Sequence, residues 1–115
     1  MAIINPTYNR DLERLITVTW ANITSADTPA THMIRGKQEL IAVQAEGTWG
    51  GATCRLTGSL SNVTFNNASD MTQSPIAFTA NAGAGVIEPY VYWKPSVTGG
   101  TGANVTVTMS YWVDE

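Results

Sequence analysis

Residues 46–60 read EGTWGGATCRLTGSL and place a glycine pair directly before a run of strict alternation. Apolar or small residues occupy every second position of that run, at Cys54, Leu56, Gly58 and Leu60. This period of two is the signature of a β-strand with one face toward a core. Because glycine adopts positive φ without steric cost, the pair predicts a tight hairpin turn. A phosphate-binding loop would need a helix after the glycines, and here a strand follows.

Further β patterns lie on both sides of this run. A second glycine pair, in VTGGTGANVT at residues 97–106, predicts another hairpin. In the first long segment, Ile16, Val18, Trp20 and Asn22 are expected on one face. Pro89 and Pro95 are expected at an edge, a bulge or a strand end, because proline donates no ladder hydrogen bond. The predicted strands are LITVTWANI (15–23), ELIAVQAE (39–46), ATCRLTGSL (52–60), NVTF (62–65), SPIAFT (74–79), VIEPYVYWKPSV (86–97) and NVTVTMSYWV (104–113).

Composition supports an all-β domain. The 115 residues include 16 threonines, and only 13% of them are charged, about half of the usual share of roughly 25%. Threonine favours strands, whereas the many Asn, Ser and Gly residues favour turns. The sequence therefore predicts a two-sheet β-sandwich over residues 15–115, with about seven or eight short antiparallel strands and Ig-like or jelly-roll connections. Residues 1–14 are predicted to form a short N-terminal arm.

Charge and motifs disfavour several functions. The net charge of −3, without a basic cluster, disfavours nucleic-acid binding. No apolar run approaches the roughly 18 residues of a membrane span. The single cysteine and the lack of a signal-like N-terminus predict folding in a reducing cytoplasm. His32 is expected in a surface loop and Cys54 in the core, and the acidic residues are dispersed. We therefore expect a protein that is not an enzyme and needs no metal or cofactor.

Two groups of residues are candidates for binding a partner. Aromatic residues at Trp49, Tyr90 and Tyr92 could stack on a sugar ring or a base. The favoured interpretation is that one aromatic set fills the core and the other covers a subunit contact. The N-terminal arm could order against a neighbour by strand addition or by docking a helical turn. Its proposed contact residues are Ile3, Ile4, Tyr8, Arg10, Leu12 and Arg14.

Two segments carry a resemblance to a known family. GTWGGATCRLTGS at residues 47–59, followed by KPSVTGGTGANVTVT at residues 94–108, resembles a family of small virion proteins of tailed bacteriophages. That family shows a Gly-Thr-aromatic-Gly-Gly turn, a Leu-x-Gly-Ser strand and a later basic-Pro-x-Val-Thr-Gly-Gly segment. The likeness covers mainly residues 40–113. Where the family continues with an Asn-Asp-Gly turn and a Trp strand, this chain has LSNVTF, with Phe65 in the place of the tryptophan.

The resemblance implies a structural protein that decorates or cements the outside of an icosahedral capsid. Its partners would be the major capsid protein and further copies of itself, with a trimer at a local threefold position as the expected oligomer. No catalytic residue or cofactor is implied. The alternatives are a virion-borne module that binds a cell-surface glycan and a structural component of the tail or neck.

Overall fold

The structure is a computed structural model that describes residues 3–11, 15–34 and 37–114, with the backbone alone for residues 8–11, 37–40 and 113–114. The described residues form strands and connections, with no helix. Seven strands are four residues or longer, and four are short pairs of residues. The strands are β1 (Ile3–Ile4), β2 (Thr7–Asp11), β3 (Leu15–Ile23), β4 (Thr28–Pro29), β5 (His32–Met33), β6 (Lys37–Thr48), β7 (Thr53–Ser59), β8 (Asn66–Asn67), β9 (Ala82–Gly85), β10 (Tyr92–Thr98) and β11 (Asn104–Asp114).

Two antiparallel sheets pack together as a β-sandwich, which confirms the predicted fold class. One sheet has five strands in the order β2-β3-β11-β6-β9, and the other has four in the order β5-β10-β7-β8. A separate parallel pair, β1-β4, contacts both β3 and β10. The pair therefore lies between the two sheets at one side of the sandwich.

The two glycine turns are corners between sheets, so the predicted hairpins are wrong. Within the described residues, β6 pairs with β11 and β9, whereas β7 pairs with β10 and β8. The pairing of β6 with β11 ends at Thr48 opposite Asn104. The pairing of β7 with β10 begins a few residues away, at Thr53 opposite Thr98. One long two-stranded ribbon therefore bends from the first sheet into the second at residues 49–52 and 99–103. The predicted positive φ is present at both pairs.

The core fills the space between the sheets. Alternation places the buried residues of β3, β6, β7, β10 and β11 on the inner faces, as the period-two patterns predict. Trp20 and Trp93 are the largest fully buried side chains. The indole nitrogen of Trp20 donates to the carbonyl oxygen of Ala30 at 2.8 Å, so its burial leaves no unpaired donor. Other core residues are Ile16, Val18, Ile23, Val43, Ala45, Cys54, Leu56, Val97, Val105, Val107, Met109 and Tyr111.

Alternation fails at the ends of two strands. Asn22 is exposed and has a φ of 57°, and the β3–β11 register shifts beside it, so Ile23 is buried in its place. This is the local geometry of a β-bulge, which period-two counting does not anticipate. At the end of β7, Ser59 is buried and Leu60 is exposed, which reverses the prediction for both residues.

Several predicted strands are shorter or absent. Residues 62–64 form bends, Phe65 has no regular structure, and residues 74–79 contribute only isolated bridges, including Phe78 opposite Cys54. The predicted strand at residues 86–97 begins only at Tyr92. Conversely, β9 has the sequence AGAG and low strand propensity, yet it pairs with β6. Segment β2 lies within the predicted arm and forms an edge strand of the larger sheet beside β3.

Pro95 lies inside β10 without costing a ladder hydrogen bond. It is opposite Leu56, whose carbonyl oxygen accepts from the amide of Ala68 on the far side of β7. In an antiparallel ladder the backbone nitrogen of Pro95 then points away from β7. It points to the other side of β10, where β5 pairs only with Tyr92 and Trp93. This agrees with the edge location expected for proline, and a proline there hinders further strand addition.

Candidate interaction surfaces

Trp49 is part of the corner between the sheets. It is half-buried against the core, and its Nε1 donates a hydrogen bond to Asn81 Oδ1 at 2.9 Å. The same oxygen accepts the backbone amide of Gly47 at 3.0 Å. The side chain therefore joins the corner to the loop before β9, and its hydrogen-bonding atom is already occupied.

Tyr90 and Tyr92 do not share a face. The ring of Tyr90 lies so close over Gly58 that a Cβ there would approach a ring carbon to 2.3 Å. It also meets Trp93 edge-on, with 5.6 Å between ring centroids, and its carbonyl oxygen accepts from Trp93 Nε1 at 2.8 Å. Tyr90 thus belongs to the inner packing, whereas Tyr92 lies in β10 opposite Ser59 and is partly exposed.

The predicted aromatic residues are divided between the two ends of the sandwich. Trp49 lies in the corner before the start of β7, at Thr53, whereas Tyr92 pairs with Ser59 at the end of that strand. Seven residues of strand separate these ends by about 20 Å. The three aromatic side chains therefore do not form one surface for a partner.

The first part of the N-terminal segment is attached to the sandwich. Ile4 packs against the core, and its carbonyl oxygen accepts from the amide of Ala30 at 2.8 Å. Ile3 is 69% exposed. Of this pair, only Ile3 therefore presents an apolar side chain to a neighbouring molecule.

The remaining arm residues are partly described. Tyr8 and Arg10 belong to β2, where they stand opposite Val18 and Ile16 in the ladder with β3. Leu12 and Arg14 lie outside the described residues. The arm is thus continuous with the sheet as far as residue 11, and its backbone already pairs with the same chain.

His32 is half-buried rather than in a surface loop. It lies in β5 opposite Trp93, and its Nε2 is 2.9 Å from the hydroxyl oxygen of buried Tyr111. Burial lowers the pKa of the imidazole below its ordinary value of 6.5. The arrangement joins the two sheets, since β5 belongs to one and Tyr111 to the other. A catalytic triad would need a nucleophile and an orienting acid around the imidazole, and no such set was predicted from the sequence.

The described residues include a buried thiol and no group of metal ligands. Cys54 is 2% exposed, and burial raises the pKa of its thiol to about 12, so the reactive thiolate is scarce at neutral pH. Its predicted location in the core is confirmed. Among the described residues, no three His, Cys, Asp or Glu side chains are grouped so as to hold a metal ion.

Among the side chains that the structure describes, the two most exposed large apolar ones lie in a short loop after β7. Leu60 is 71% exposed and Val63 is 83% exposed. Both belong to residues 59–64, named here the serine loop. The sequence SLSN at residues 59–62 favours a turn, because serine and asparagine side chains bind nearby backbone amides. The predicted strands at 52–60 and 62–65 meet at these residues and leave no room for such a loop.

Two serine hydroxyls fix the backbone of the serine loop. The fully buried Ser59 Oγ accepts the amides of Ser61 at 3.1 Å and Asn62 at 3.0 Å. Ser61 Oγ accepts the amides of Val63 and Thr64, each at 3.2 Å. Four consecutive amides are therefore satisfied inside the loop, and the apolar side chains stand on an ordered backbone.

The residue after the serine loop is tied to β10. The ammonium of Lys94 lies 4.3 Å from the centroid of the Phe65 ring, within the range of a cation–π contact. Beside it, Thr57 Oγ1 donates to the carbonyl oxygen of Lys94 at 2.7 Å. The cation–π contact holds the residue after the loop against β10, and the hydrogen bond fixes Lys94 to β7.

The outer face of the five-stranded sheet is a second candidate surface. Cross-strand register aligns two rows of small or uncharged residues on it, which were not identifiable before the strand order was known. The rows are Thr19, Thr108, Gln44, Gly83 and Thr17, Ser110, Ala42, Gly85. Together they are named here the outer face. Trp112 follows Ser110 on the same side of β11 and is 38% exposed.

No helix among the described residues is long and apolar enough to cross a membrane.

Comparison with known proteins adds no relative on which a function could be based. The chain matches no family model, no curated protein and no solved structure.

Proposed function

We propose that this protein is a structural virion protein of a tailed bacteriophage that decorates the outside of the icosahedral capsid. Its partners are the major capsid protein and further copies of itself, arranged as a trimer at local threefold positions. It is made in the host cytoplasm and acts on the capsid surface without catalysis. The sequence resemblance supplies the class of protein, and the serine loop supplies a means of attachment.

The observation that carries the proposal is the exposure of Leu60 and Val63 on an ordered loop. Single exposed apolar residues are common, but these two stand within four residues of each other on a backbone held by Ser59 and Ser61. Docking of a pre-ordered loop costs little conformational entropy. Burying two such side chains contributes about 1.5–3 kcal/mol each. A pocket on a neighbouring capsid protein is the kind of partner that this loop fits.

Oligomerisation would strengthen an attachment of this size. Three linked loops that engage together raise the effective concentration of each second contact. Ile3, exposed on the β1-β4 pair, offers a separate apolar contact for a sister copy. The sequence analysis predicts the N-terminal arm and the aromatic residues as contact sites. We place the capsid attachment instead at the serine loop and retain Ile3 of the arm as a contact for a sister copy.

The sandwich also suits a protein that persists outside the cell. It has a continuous apolar core between two sheets, closed at one end by the two hydrogen-bonded corners. The single thiol is buried and cannot form an internal disulfide. Stability therefore comes from packing and hydrogen bonds, which do not depend on the redox state of the surroundings.

Counting copies in purified virions of the encoding phage tests this function. Quantitative mass spectrometry against the major capsid protein should find hundreds of copies per particle, because decoration follows the symmetry of the shell. About a dozen copies or fewer would instead assign the protein to the tail or neck. Complete absence from virions would remove the proposal altogether.

A further inference from the structure

We propose that the outer face carries a binding site for a neutral oligosaccharide. The site is a shallow depression of about 290 Å³ lined by Ala42, Gln44, Gly83, Thr108 and Ser110 together with Val43 and Ala84. This inference is independent of the capsid role, since it concerns a different surface from the serine loop and a different kind of partner.

The depression exists because side chains are missing from one region of the sheet. Gly83 on edge strand β9 has no Cβ, and Ala42 on the neighbouring strand β6 carries only a methyl group. The space over Gly85 is taken by Met71, whose Cγ lies 3.1 Å from where a Cβ would stand, so the depression opens at Gly83 and Ala42. The volume of about 290 Å³ lies just below the roughly 300–1,000 Å³ of small-molecule sites, which suits a single sugar unit of a longer chain.

The remaining lining residues offer hydrogen bonds of the kind that sugar hydroxyls make. Gln44 provides an amide, and Thr108 and Ser110 provide hydroxyls, so the site contains both donors and acceptors. In the part of the chain that the structure describes, none of these three side chains is hydrogen-bonded to another protein group. A ligand can therefore pair with them without breaking contacts of the fold.

The charge of the surface selects the class of ligand. Neither row of the outer face contains a charged residue. An anionic polysaccharide or a nucleic acid would require Lys or Arg, and a protein partner would require large apolar anchors at the centre of the contact. Small hydroxyl and amide groups match a polyhydroxylated, uncharged ligand better than they match an anionic polymer or a protein.

Trp112 supplies a stacking surface beside the depression. It follows Ser110 by two residues on the same side of β11, a separation of about 7 Å along the strand. At 38% exposure part of its ring faces solvent, and aromatic faces pack favourably on the apolar face of a pyranose ring. One sugar unit over Trp112 and the next in the depression would span the two parts of the site.

Titration with defined sugars tests the site. The full-length protein, labelled with ¹⁵N, is mixed with neutral hexasaccharides of glucose, mannose, xylose and N-acetylglucosamine, and separately with polygalacturonate as an anionic probe. At about 10 mM sugar, which saturates a site with a Kd near 1 mM, at least one neutral probe should shift amides at residues 42–44, 83–85 and 108–112. No shift with any neutral probe, shifts confined to the serine loop, or binding of polygalacturonate alone would overturn the proposal.

Matched variants tie the binding to this surface. Ala42→Leu fills the depression, and Trp112→Ala removes the stacking ring; each should weaken binding by about tenfold or more. Ala21→Leu, an exposed position of the same sheet that does not line the depression, should bind as the wild type does. Binding unchanged in both site variants would contradict the assignment. A dimer found by sedimentation and dissociated by Ala42→Leu would also contradict the assignment, because the outer face would then contact a second copy.

Discussion

The carbonyl oxygen of Gly50 accepts a hydrogen bond from the amide of Thr101 at 2.9 Å. This bond joins the two corners at which the long ribbon passes from one sheet to the other. The corners fit closely: a Cβ on Gly50 would approach the Thr101 oxygen to 2.0 Å, and one on Gly100 would approach the Ala52 nitrogen to 2.6 Å. The glycine pairs are thus required for contact between two corners as well as for backbone conformation.

Alanine substitutions should separate these two requirements. Gly50, Gly99, Gly100 and Gly102 all have positive φ, but only Gly50 and Gly100 face neighbouring backbone. We expect Gly99→Ala and Gly102→Ala to lower the free energy of unfolding by about 1 kcal/mol, the cost of the left-handed conformation. Gly50→Ala and Gly100→Ala should lose at least about 2 kcal/mol more, as measured by urea denaturation. Equal losses in all four variants would show that the corners do not pack as described.

The sequence predicted the long strands well because burial and period coincide in them. Val18, Val43, Leu56 and Val107 lie on inner faces as the alternation required. The turns were also located correctly, since glycine pairs punctuate strands. Whether such a turn joins neighbours in one sheet or crosses between sheets depends on pairing far along the chain. Local residues do not encode that choice, so the hairpins were mispredicted.

The candidate surfaces were less predictable. The packing of half-buried Tyr90 against the core depends on the missing side chain of Gly58, a contact that the sequence of either segment does not show. Leu60 was assigned to the core because it continues the alternation, but the strand ends at Ser59, whose hydroxyl binds backbone amides. The outer face likewise becomes visible only once β9, β6, β11 and β3 are placed in order.

Removing the Ser59 hydroxyl should loosen the serine loop. Ser59→Ala deletes an acceptor for two amides and is expected to cost about 1–2 kcal/mol in unfolding free energy. Hydrogen exchange at the amide of Asn62 should accelerate more than exchange in β7. Ser61→Ala is the matched control: the exposed Ser61 hydroxyl accepts from the amides of Val63 and Thr64 and lies 3.3 Å from Ser59 Oγ, but it does not bind the amide of Asn62. An Asn62 amide that exchanges at the wild-type rate in Ser59→Ala would argue against this anchoring.

Cys54 should be chemically inert in the folded protein. With its thiol pKa raised to about 12 by burial, an aromatic disulfide reagent at pH 8 should label it only at the rate of unfolding. Cys54→Ser places a hydroxyl in an apolar site and should cost about 1–3 kcal/mol. Cys54→Ala serves as the comparison without a buried hydroxyl. Rapid labelling of native protein would show that β7 turns its other face inward.

His32 should make stability depend on pH in the mildly acidic range. Burial lowers its pKa in the folded state, so below the ordinary value of 6.5 the unfolded chain binds more protons than the folded one. Stability is therefore fully present above about pH 6.5 and falls as the pH decreases through that value. His32 is the only histidine. His32→Gln should accordingly flatten the unfolding free energy between about pH 5.5 and pH 7.5, and an unchanged slope would contradict the assignment.

Binding to bare capsids of the phage that encodes this protein under the proposed function tests the central claim most directly. Purified protein is mixed with heads that lack it, and bound protein is measured after sedimentation. Leu60→Asp combined with Val63→Asp should abolish or severely weaken binding, because charged groups cannot enter an apolar pocket without a desolvation cost. Met71→Asp, at another exposed apolar position, should bind as the wild type does. Wild-type protein that fails to bind heads, or a double variant that binds with unchanged affinity and native stability, would contradict attachment through the serine loop.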